Sequence, residues 1–192
     1  MKKIVFTMLC ALIGLNVSAQ EAIKTNRSFK VPYQDWYSGV WGSPSDGGKP
    51  IVIFGYDKKE GRTDSNSFRA KVKSNTRNGA GNKAVLRRKG IRLKKNKSYT
   101  LSFWVKSRFI EDEVFVSLYS AADTGGKYPW GAIFNKDFKF KSSGEWVKVE
   151  HSFTAAGTIG KKIDYKKLDL IIGFDKRKGT YWIDDVSITL DK

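Results

Sequence analysis

Cysteine, proline and histidine are scarce in this sequence of 192 residues. The one cysteine, Cys10, lies in an apolar N-terminal stretch that we expect to be removed, so the mature chain would have no disulfide and no thiolate zinc site. The chain has only four prolines and one histidine. The fold must therefore rely on an ordinary apolar core, and sites that need several cysteines or histidines are excluded.

The first residues have the pattern of a signal peptide. Lys2 and Lys3 form a short positive start, an apolar run extends from Ile4 to Val17, and small residues precede Gln20. This run is too short for a transmembrane helix. We therefore expect cleavage near Ala19 and an exported protein, in the periplasm, at the cell surface or outside the cell.

The remainder of the chain has the size of one domain. We expect a signal peptide over residues 1–19, a short leader over residues 20–25 and a single domain over residues 26–192. About 173 residues remain after cleavage, which is enough to bury a core unaided. No second apolar run reaches the length of a membrane span, so we expect none, and we expect a monomer.

Acidic residues are few compared with basic ones: the chain has 19 Asp and Glu against 36 Lys and Arg, a formal net charge of +17. Between Ser65 and Ile110 there are fourteen Lys or Arg and no Asp or Glu. Such a field attracts polyanions and is screened by salt. For an exported protein these are acidic polysaccharides and lipid headgroups, while export argues against nucleic acid. A surface that is simply rich in lysine explains the charge equally well.

Alternation of apolar and polar residues is the main structural signal, and no segment has a sustained helical period. The alternation predicts strands over Ser67–Lys73, Tyr99–Val105, Glu113–Tyr119, Trp146–Phe153, Leu168–Phe174 and Tyr181–Leu190. Glycine-rich turns separate several of these strands. The pattern predicts an all-β fold, a two-sheet antiparallel jelly-roll sandwich.

Four sequence blocks stand out along the domain. They are Asn26–Phe29 followed by Trp36, Ile91–Ser107, Glu145–Trp146 leading to Phe153–Thr154, and Tyr181–Ile188. In content and order they resemble the motifs of jelly-roll carbohydrate-binding modules of families 4, 9, 16 and 22. The resemblance implies a galactose-binding-like fold with a glycan across the concave sheet or along a loop edge. Lys30 and Asn96 depart from the motifs, which have Glu and Gly at these places.

The resemblance also implies a structural calcium ion, held by an acid near the opening block and by the closing Asp pair. In this chain Asp184 and Asp185 form the pair, and Asp35 would compensate for Lys30, which stands in place of the acid. Calcium takes six to eight oxygen ligands, so the ammonium group of Lys30 counts against it. A purely structural Asp pair is the alternative, and no other cofactor is expected.

Catalytic residues are not apparent. Hydrolysis of a glycoside usually needs two carboxylates that face each other across the sugar. Asp184 and Asp185 are adjacent on a predicted strand, so we expect their side chains on opposite faces. His151 alternates with Val149 and Phe153, which places it on the core face. We therefore expect a binding protein rather than an enzyme.

Aromatic residues in polar segments are the candidate ligand contacts, because the apolar face of a pyranose stacks on Trp or Tyr. Trp36 and Trp41 lie in one segment expected to be a loop, and Tyr128 and Trp130 lie in another. For Trp36 the alternative is that it closes one end of the sandwich.

A second group of candidates lies on the predicted strands. Trp104, Phe115 and Tyr119 face away from the aliphatic sides of their strands, and we expect them to form one platform. The alternative is that these aromatics are the core. Arg69 and Lys71 lie on one basic face of a strand and could supply the counter-charge for an acidic sugar.

Taken together, these features predict a secreted, non-catalytic carbohydrate-binding module for a poly- or oligosaccharide, with an acidic polysaccharide favoured by the charge. A cell-envelope structural or adhesion domain is the first alternative. A small glycoside hydrolase or polysaccharide lyase is the second.

Overall fold

The computed structural model describes residues 21–23, 36–41, 51–62, 66–74, 83–120, 131–157, 163–175 and 178–191. The regular secondary structure in these ranges consists of β-strands. They are β1 Glu21–Ile23, β2 Trp36–Trp41, β3 Ile51–Asp57, β4 Ser67–Ser74, β5 Lys83–Ile91, β6 Ser98–Ser107, β7 Glu111–Ser120, β8 Gly131–Lys141, β9 Val147–Thr154, β10 Leu168–Asp175 and β11 Gly179–Leu190. The described part of the chain accordingly contains no helix of the length and apolarity that a membrane span needs.

The strands form two antiparallel sheets. Sheet A has the order β3-β4-β11-β6-β9, with β1 paired to the C-terminal part of β11, and sheet B has the order β2-β5-β10-β7-β8. Strands that follow each other in the sequence are therefore often in different sheets, as in a jelly roll. The predicted all-β sandwich is confirmed.

The core lies between the sheets and is built from the inward side chains of both. The aliphatic row Val114, Val116 and Leu118 of β7 is fully buried, as are Leu101 and Phe103 of β6. Each such side chain contributes about 1.5–3 kcal/mol by its burial. The inner faces that alternation predicted on these two strands are confirmed, and so the outward direction of Trp104, Phe115 and Tyr119 is confirmed with them.

Six predicted strands appear as β4, β6, β7, β9, β10 and β11, and several others were not predicted. β2 occupies a segment that we expected to be a loop, and this expectation was wrong. β1 lies within the expected leader, so sheet A begins before residue 26. β5 was missed because basic residues fill its outward row, which weakens the apolar signal.

His151 lies on the inner face of β9, as its alternation predicts. Its ring is 4.8 Å from the ring of Phe134 and 5.4 Å from that of Phe138, both from β8. Burial lowers the pKa of His151, and the nearby ammonium group of Lys136 lowers it further. This packing joins the β8 edge of sheet B to the β9 edge of sheet A.

Candidate functional site

The outer face of sheet B carries side chains from all five strands. Strand register places Tyr37, Arg87, Ile171, Ser117 and Asn135 side by side, and the next row contains Gly39, Val85, Gly173, Phe115 and Asp137. The alternating neighbours in β5, β10 and β7, such as Leu86, Ile172 and Val116, point into the core. We call this outer surface the aromatic face, after Tyr37, Phe115 and Tyr119.

The floor of the aromatic face is apolar. Val85 and Ile171 point outward, yet only 3% and 0% of their surfaces are exposed. At Gly173 a Cβ atom would lie 3.2 Å from Val85 Cγ1 and 3.5 Å from Lys83 Cδ, so the glycine leaves room for Lys83 to cross the sheet.

Two cations of β5 lie against the two aromatic rings of β7. Lys83 Nζ is 4.5 Å from the ring centroid of Phe115, and the Arg87 guanidinium is 5.6 Å from that of Tyr119. Arg87 also forms an ion pair with Asp169, its Nε donating to Oδ2 at 3.1 Å. Cation–π contacts of this kind contribute about 0.5–2 kcal/mol. Each ring therefore has a positive charge next to it.

The rim of the aromatic face is polar. Half of the surface of Tyr37 is exposed (50%), and Lys89 Nζ lies 4.5 Å from its ring. On the opposite side Ser117 Oγ donates to Asn135 Oδ1. The surface thus combines stacking rings with hydrogen-bond donors and acceptors, which is the composition that a sugar ring needs.

Trp104 is not part of this surface. It lies on β6 in sheet A, paired with Asp184 of β11 and Lys148 of β9, on the opposite side of the sandwich. The Arg62 guanidinium stacks on it, 3.9 Å from the ring centroid. The prediction that Trp104, Phe115 and Tyr119 form one platform was therefore wrong, although each faces outward.

The outer face of sheet A is covered by the segment that follows β3, residues 58–62, which we call the strap. Asp57, the last residue of β3 directly before the strap, accepts hydrogen bonds from Trp182 Nε1 at 3.0 Å and from Arg69 Nη1 at 3.3 Å. Glu60, in its middle, pairs with Lys106 at 2.8 Å. Trp182 is 5% exposed beneath it. This face is closed by its own side chains.

The electrostatics of Asp57 follow from these contacts. Burial raises the pKa of the carboxyl group, but the hydrogen bonds from Trp182, from the backbone N–H of Lys59 and from Arg69 outweigh it, and the pKa lies below 3.8. The charge of Arg69 is thus paired inside the protein. Its neighbour Lys71 on β4 is exposed, on sheet A and away from the aromatic face.

Asp184 and Asp185 do not point to opposite faces as predicted. Ile183 and Val186 are both buried in the core, and a bulge in the pairing of β11 with β6 places two consecutive residues between them. Asp185 has a backbone φ angle of 48°, which lies in the left-handed region of conformational space. Regular alternation fails here, and both carboxylates reach the same residue, Arg62.

This Asp pair does not fit a calcium site. Asp184 accepts the backbone N–H of Arg62 at 2.8 Å and that of Asp185 at 2.9 Å, and the Arg62 guanidinium is 3.6 Å from Asp185. The described residues contain no group of three Asp, Glu, His or Cys side chains that could hold a metal. Asp35, the proposed third ligand, lies outside the described residues. The guanidinium group of Arg62 thus lies beside the carboxylates that a calcium ion would need as ligands.

The remaining predicted contacts are distributed as follows. Trp36 is 4% exposed and packs in the core, in agreement with the alternative of a structural role. The backbone of Trp41 lies in β2 beside Lys83, but its side chain, like Tyr128 and Trp130, lies outside the described part of the structure.

Sequence reasoning missed the contributions of Lys83, Arg87 and Asp169. A signal was present, since Lys83, Arg87 and Lys89 alternate with Ala84 and Leu86 in the unpredicted strand β5. Had that strand been recognised, a cationic row on an outward face would have been predicted.

A concavity, separate from the aromatic face, lies where β7, β8 and β9 meet, with a volume of about 840 Å³. It contains the ion pairs Lys141–Glu111 at 3.0 Å and Lys148–Glu150 at 2.7 Å. Its described lining has charges of both signs, and its two aromatic residues, Phe138 and Phe140, pack in or against the core. The aromatic face is therefore the stronger candidate.

Known structures share this fold. The CBM22-1 xylan-binding domain of Paenibacillus barcinonensis Xyn10C is 16% identical, with a TM-score of 0.58 over 91% of this chain and 96% of that one. The CBM22-1–GH10 modules of Clostridium thermocellum Xyn10B, solved with xylohexaose, are 18% identical, with a TM-score of 0.58 over 90% and 29% of the two chains. TmCBM61 in complex with β-1,4-galactotriose is 13% identical, with a TM-score of 0.52 over 90% and 100%.

Sequence comparison is more specific. A search of curated proteins gives no match. The sequence model of the family CBM_4_9, described as a carbohydrate binding domain, matches residues 52–165, which is more than half of the chain. The matched range contains the core strands β6 and β7 as well as Phe115 and Tyr119. This protein belongs to the CBM_4_9 family of carbohydrate binding domains.

Proposed function

We propose that this protein is an exported, monomeric, non-catalytic module that binds a poly- or oligosaccharide on the aromatic face of sheet B. The observation that carries the proposal is the pair of outward rings, Phe115 and Tyr119, beside an apolar floor and in contact with Lys83 and Arg87. Family membership supports carbohydrate as the ligand class.

The chemistry of the face matches the two sides of a sugar ring. The C–H face of a pyranose stacks on Phe115 or Tyr119, while its hydroxyl groups exchange hydrogen bonds with Arg87, Asp169 and Asn135. Stacking on two rings that lie on one strand, four residues apart, favours a ligand of more than one sugar unit. Strand geometry sets the separation of these residues at about 13 Å.

The cations on the face favour an acidic sugar. Lys83 and Lys89 extend over rings that a sugar would contact, so a carboxylate or sulfate group on the sugar would meet an ammonium group. Two carboxylates lie beside the rings in the strand register: Asp169, opposite Tyr119, is engaged by Arg87, and Asp137, opposite Phe115, is exposed. An arrangement that binds its own carboxylate to a guanidinium is suited to recognition rather than to proton transfer.

Substitution of the two rings tests the site. Glycan arrays and titration calorimetry on acidic and neutral oligosaccharides would compare the unchanged protein with Phe115→Ala and Tyr119→Ala. We expect each substitution to weaken binding about tenfold, because a lost stacking contact costs about 0.5–1.5 kcal/mol beyond its buried area.

The matched control is Trp104→Phe on the opposite sheet, which we expect to leave the affinity unchanged. Loss of binding with Trp104→Phe, together with full binding by the two sheet B variants, would move the site to sheet A and reject the proposal. Release of reducing sugar or of unsaturated products by the unchanged protein would reject a non-catalytic role.

A further inference from the structure

One end of the sandwich is strongly basic. It comprises the turn between β5 and β6 and the segment before β10. Six exposed cations lie in these segments, and we call them the basic end: Arg92, Lys94, Lys95, Lys97, Lys166 and Lys167. Among the described residues, the acidic groups bonded to or lying in these segments are Asp164 and Asp191, fewer than the six cations.

One backbone hydrogen bond joins the two segments, and two further hydrogen bonds fix the turn to its neighbours. Leu93 N donates to Tyr165 O at 2.9 Å, and Lys94 N donates to Tyr99 Oη at 2.8 Å. On the sheet A side, Asn96 N donates to Ala155 O at 3.0 Å. The six cations are thus presented on a fixed backbone rather than on a loose tail.

Asn96 explains how the turn is formed. Its φ is 59°, a left-handed conformation that Asn adopts more readily than other non-glycine residues. This is the position at which the motif of similar modules has Gly. Asn therefore keeps the turn while the neighbouring Lys94, Lys95 and Lys97 remain exposed.

The charges of this end differ from those on the sheet faces. Three cations of the sheet faces form ion pairs: Arg69 with Asp57, Arg87 with Asp169 and Lys106 with Glu60. Among the described residues, none of the six cations of the basic end has such an ion pair. The carboxylate of Asp164 accepts a hydrogen bond from Lys166 N at 2.9 Å, and that of Asp191 accepts one from Thr100 Oγ1 at 2.8 Å.

We propose that the basic end is a second binding site, which takes a linear anionic polysaccharide carrying carboxylate or sulfate groups. Clustered cations without counter-ions of their own create a positive field that an anionic polymer neutralises, with release of its counter-ions. The choice of polysaccharide over other polyanions rests on the proposed function.

Continuity with the aromatic face supports this choice. β5 carries Arg87 and Lys89 on or beside that face and ends at Ile91, directly before the basic turn. Ser120, one residue after Tyr119, accepts a hydrogen bond from Asp164 N at 3.0 Å. One extended polymer can therefore contact the rings with some of its sugars and the basic end with others.

The test uses two variants with the same change in charge. K94Q/K95Q/K97Q alters the basic end, and K58Q/K73Q/K178Q alters exposed lysines away from it, two of them beside the N-terminal part of β11. The probes are polygalacturonate and the same polymer after full methyl esterification. Binding is measured over a series of salt concentrations.

We expect K94Q/K95Q/K97Q to weaken polygalacturonate binding about tenfold or more at low salt and to make its salt dependence shallower. The other triple variant should lose less than about threefold. Equal losses in the two variants would show a non-specific charge effect and overturn the proposal.

Further measurements distinguish failure of the basic-end proposal from failure of the proposed function. Binding of the basic end to anionic phosphatidylglycerol vesicles, without binding to polygalacturonate, would identify a lipid surface and reject the polysaccharide. The esterified polymer should bind K94Q/K95Q/K97Q as it binds the unchanged protein. Loss of polygalacturonate binding in this variant, with no effect of Tyr119→Ala on either polymer, would support the basic end and reject the aromatic face.

Discussion

The two outer faces of the sandwich carry similar residues in different states. On sheet A, Trp182 is buried beneath the strap, whereas Trp104 is partly exposed with Arg62 stacked on its ring. On sheet B, Phe115 and Tyr119 remain partly exposed, with long cations beside them. Among the described residues, the segment that carries carboxylates back over a sheet surface is the strap on sheet A.

The contacts made by Asp57 and by the strap show what allows an outward-facing aromatic side chain to be buried. Asp57 satisfies the indole N–H of Trp182, and Glu60 neutralises Lys106, which lies 5.6 Å from the same ring. A buried donor without a partner costs about 1–3 kcal/mol, so this coverage requires such acceptors.

The largest expected difference between the two faces is in the free energy of unfolding after substitution of an aromatic residue. We expect Trp182→Ala to lower the free energy of unfolding by about 3–5 kcal/mol, since it empties a buried site and removes a partner of Asp57. Tyr119→Ala, on the open face, should cost about 1 kcal/mol or less. Urea unfolding followed by circular dichroism measures both, and equal losses would contradict the contrast between the faces.

The second effect concerns acid. The pKa of Asp57 is lower in the folded protein than its ordinary value of 3.8, so its ionised form stabilises the fold above that value and the contribution is lost as the pH falls through and below it. We expect Asp57→Asn to cost about 1–2 kcal/mol at neutral pH. The difference from the unchanged protein should shrink between about pH 5 and pH 2.

Unfolding curves at a series of pH values check this. Asp137→Asn, on sheet B, is the control, because it removes an exposed carboxylate from the other face. A difference between Asp57→Asn and the unchanged protein that stays constant or grows in acid would mean that the strap is not held by the ionised carboxylate.

Much of the fold could be predicted from the sequence, because alternation reports which side of a strand is buried. It identified the inner rows of β6 and β7 and the position of His151. It could not report which sheet a strand joins. β6 and β7 follow each other closely, yet residues 108–110 carry the chain from sheet A to sheet B, and for this reason the predicted platform of three aromatics was wrong.

The candidate site was less predictable for a second reason. Its cations come from β5, whose basic outward row has the composition of a solvated surface, and its ring contacts form across three strands. The directions of the Asp184 and Asp185 side chains likewise depend on a bulge and on the positive φ of Asp185, and the sequence predicts neither. Such features arise from tertiary packing rather than from local pattern.

The smallest expected effect concerns Arg62, the strap cation that lies beside Asp185 and on Trp104. Arg62→Gln removes the ion pair with Asp185 and the stacking on Trp104, and should lower the stability by about 0.5–1 kcal/mol. Arg62→Lys is the matched variant, since it keeps the charge but loses the planar contact, and it should recover only part of the loss.

The same comparison sharpens the question of calcium. Because a guanidinium group already lies beside Asp185, we expect the melting temperature of the unchanged protein to be the same in calcium chloride and in EDTA. If calcium raised it by several degrees, residues outside the described ranges, with Asp35 the first candidate, would complete a metal site. In that case sheet A would be closed by a metal ion as well as by the strap, and Arg62→Gln would increase the response to calcium rather than leave it absent.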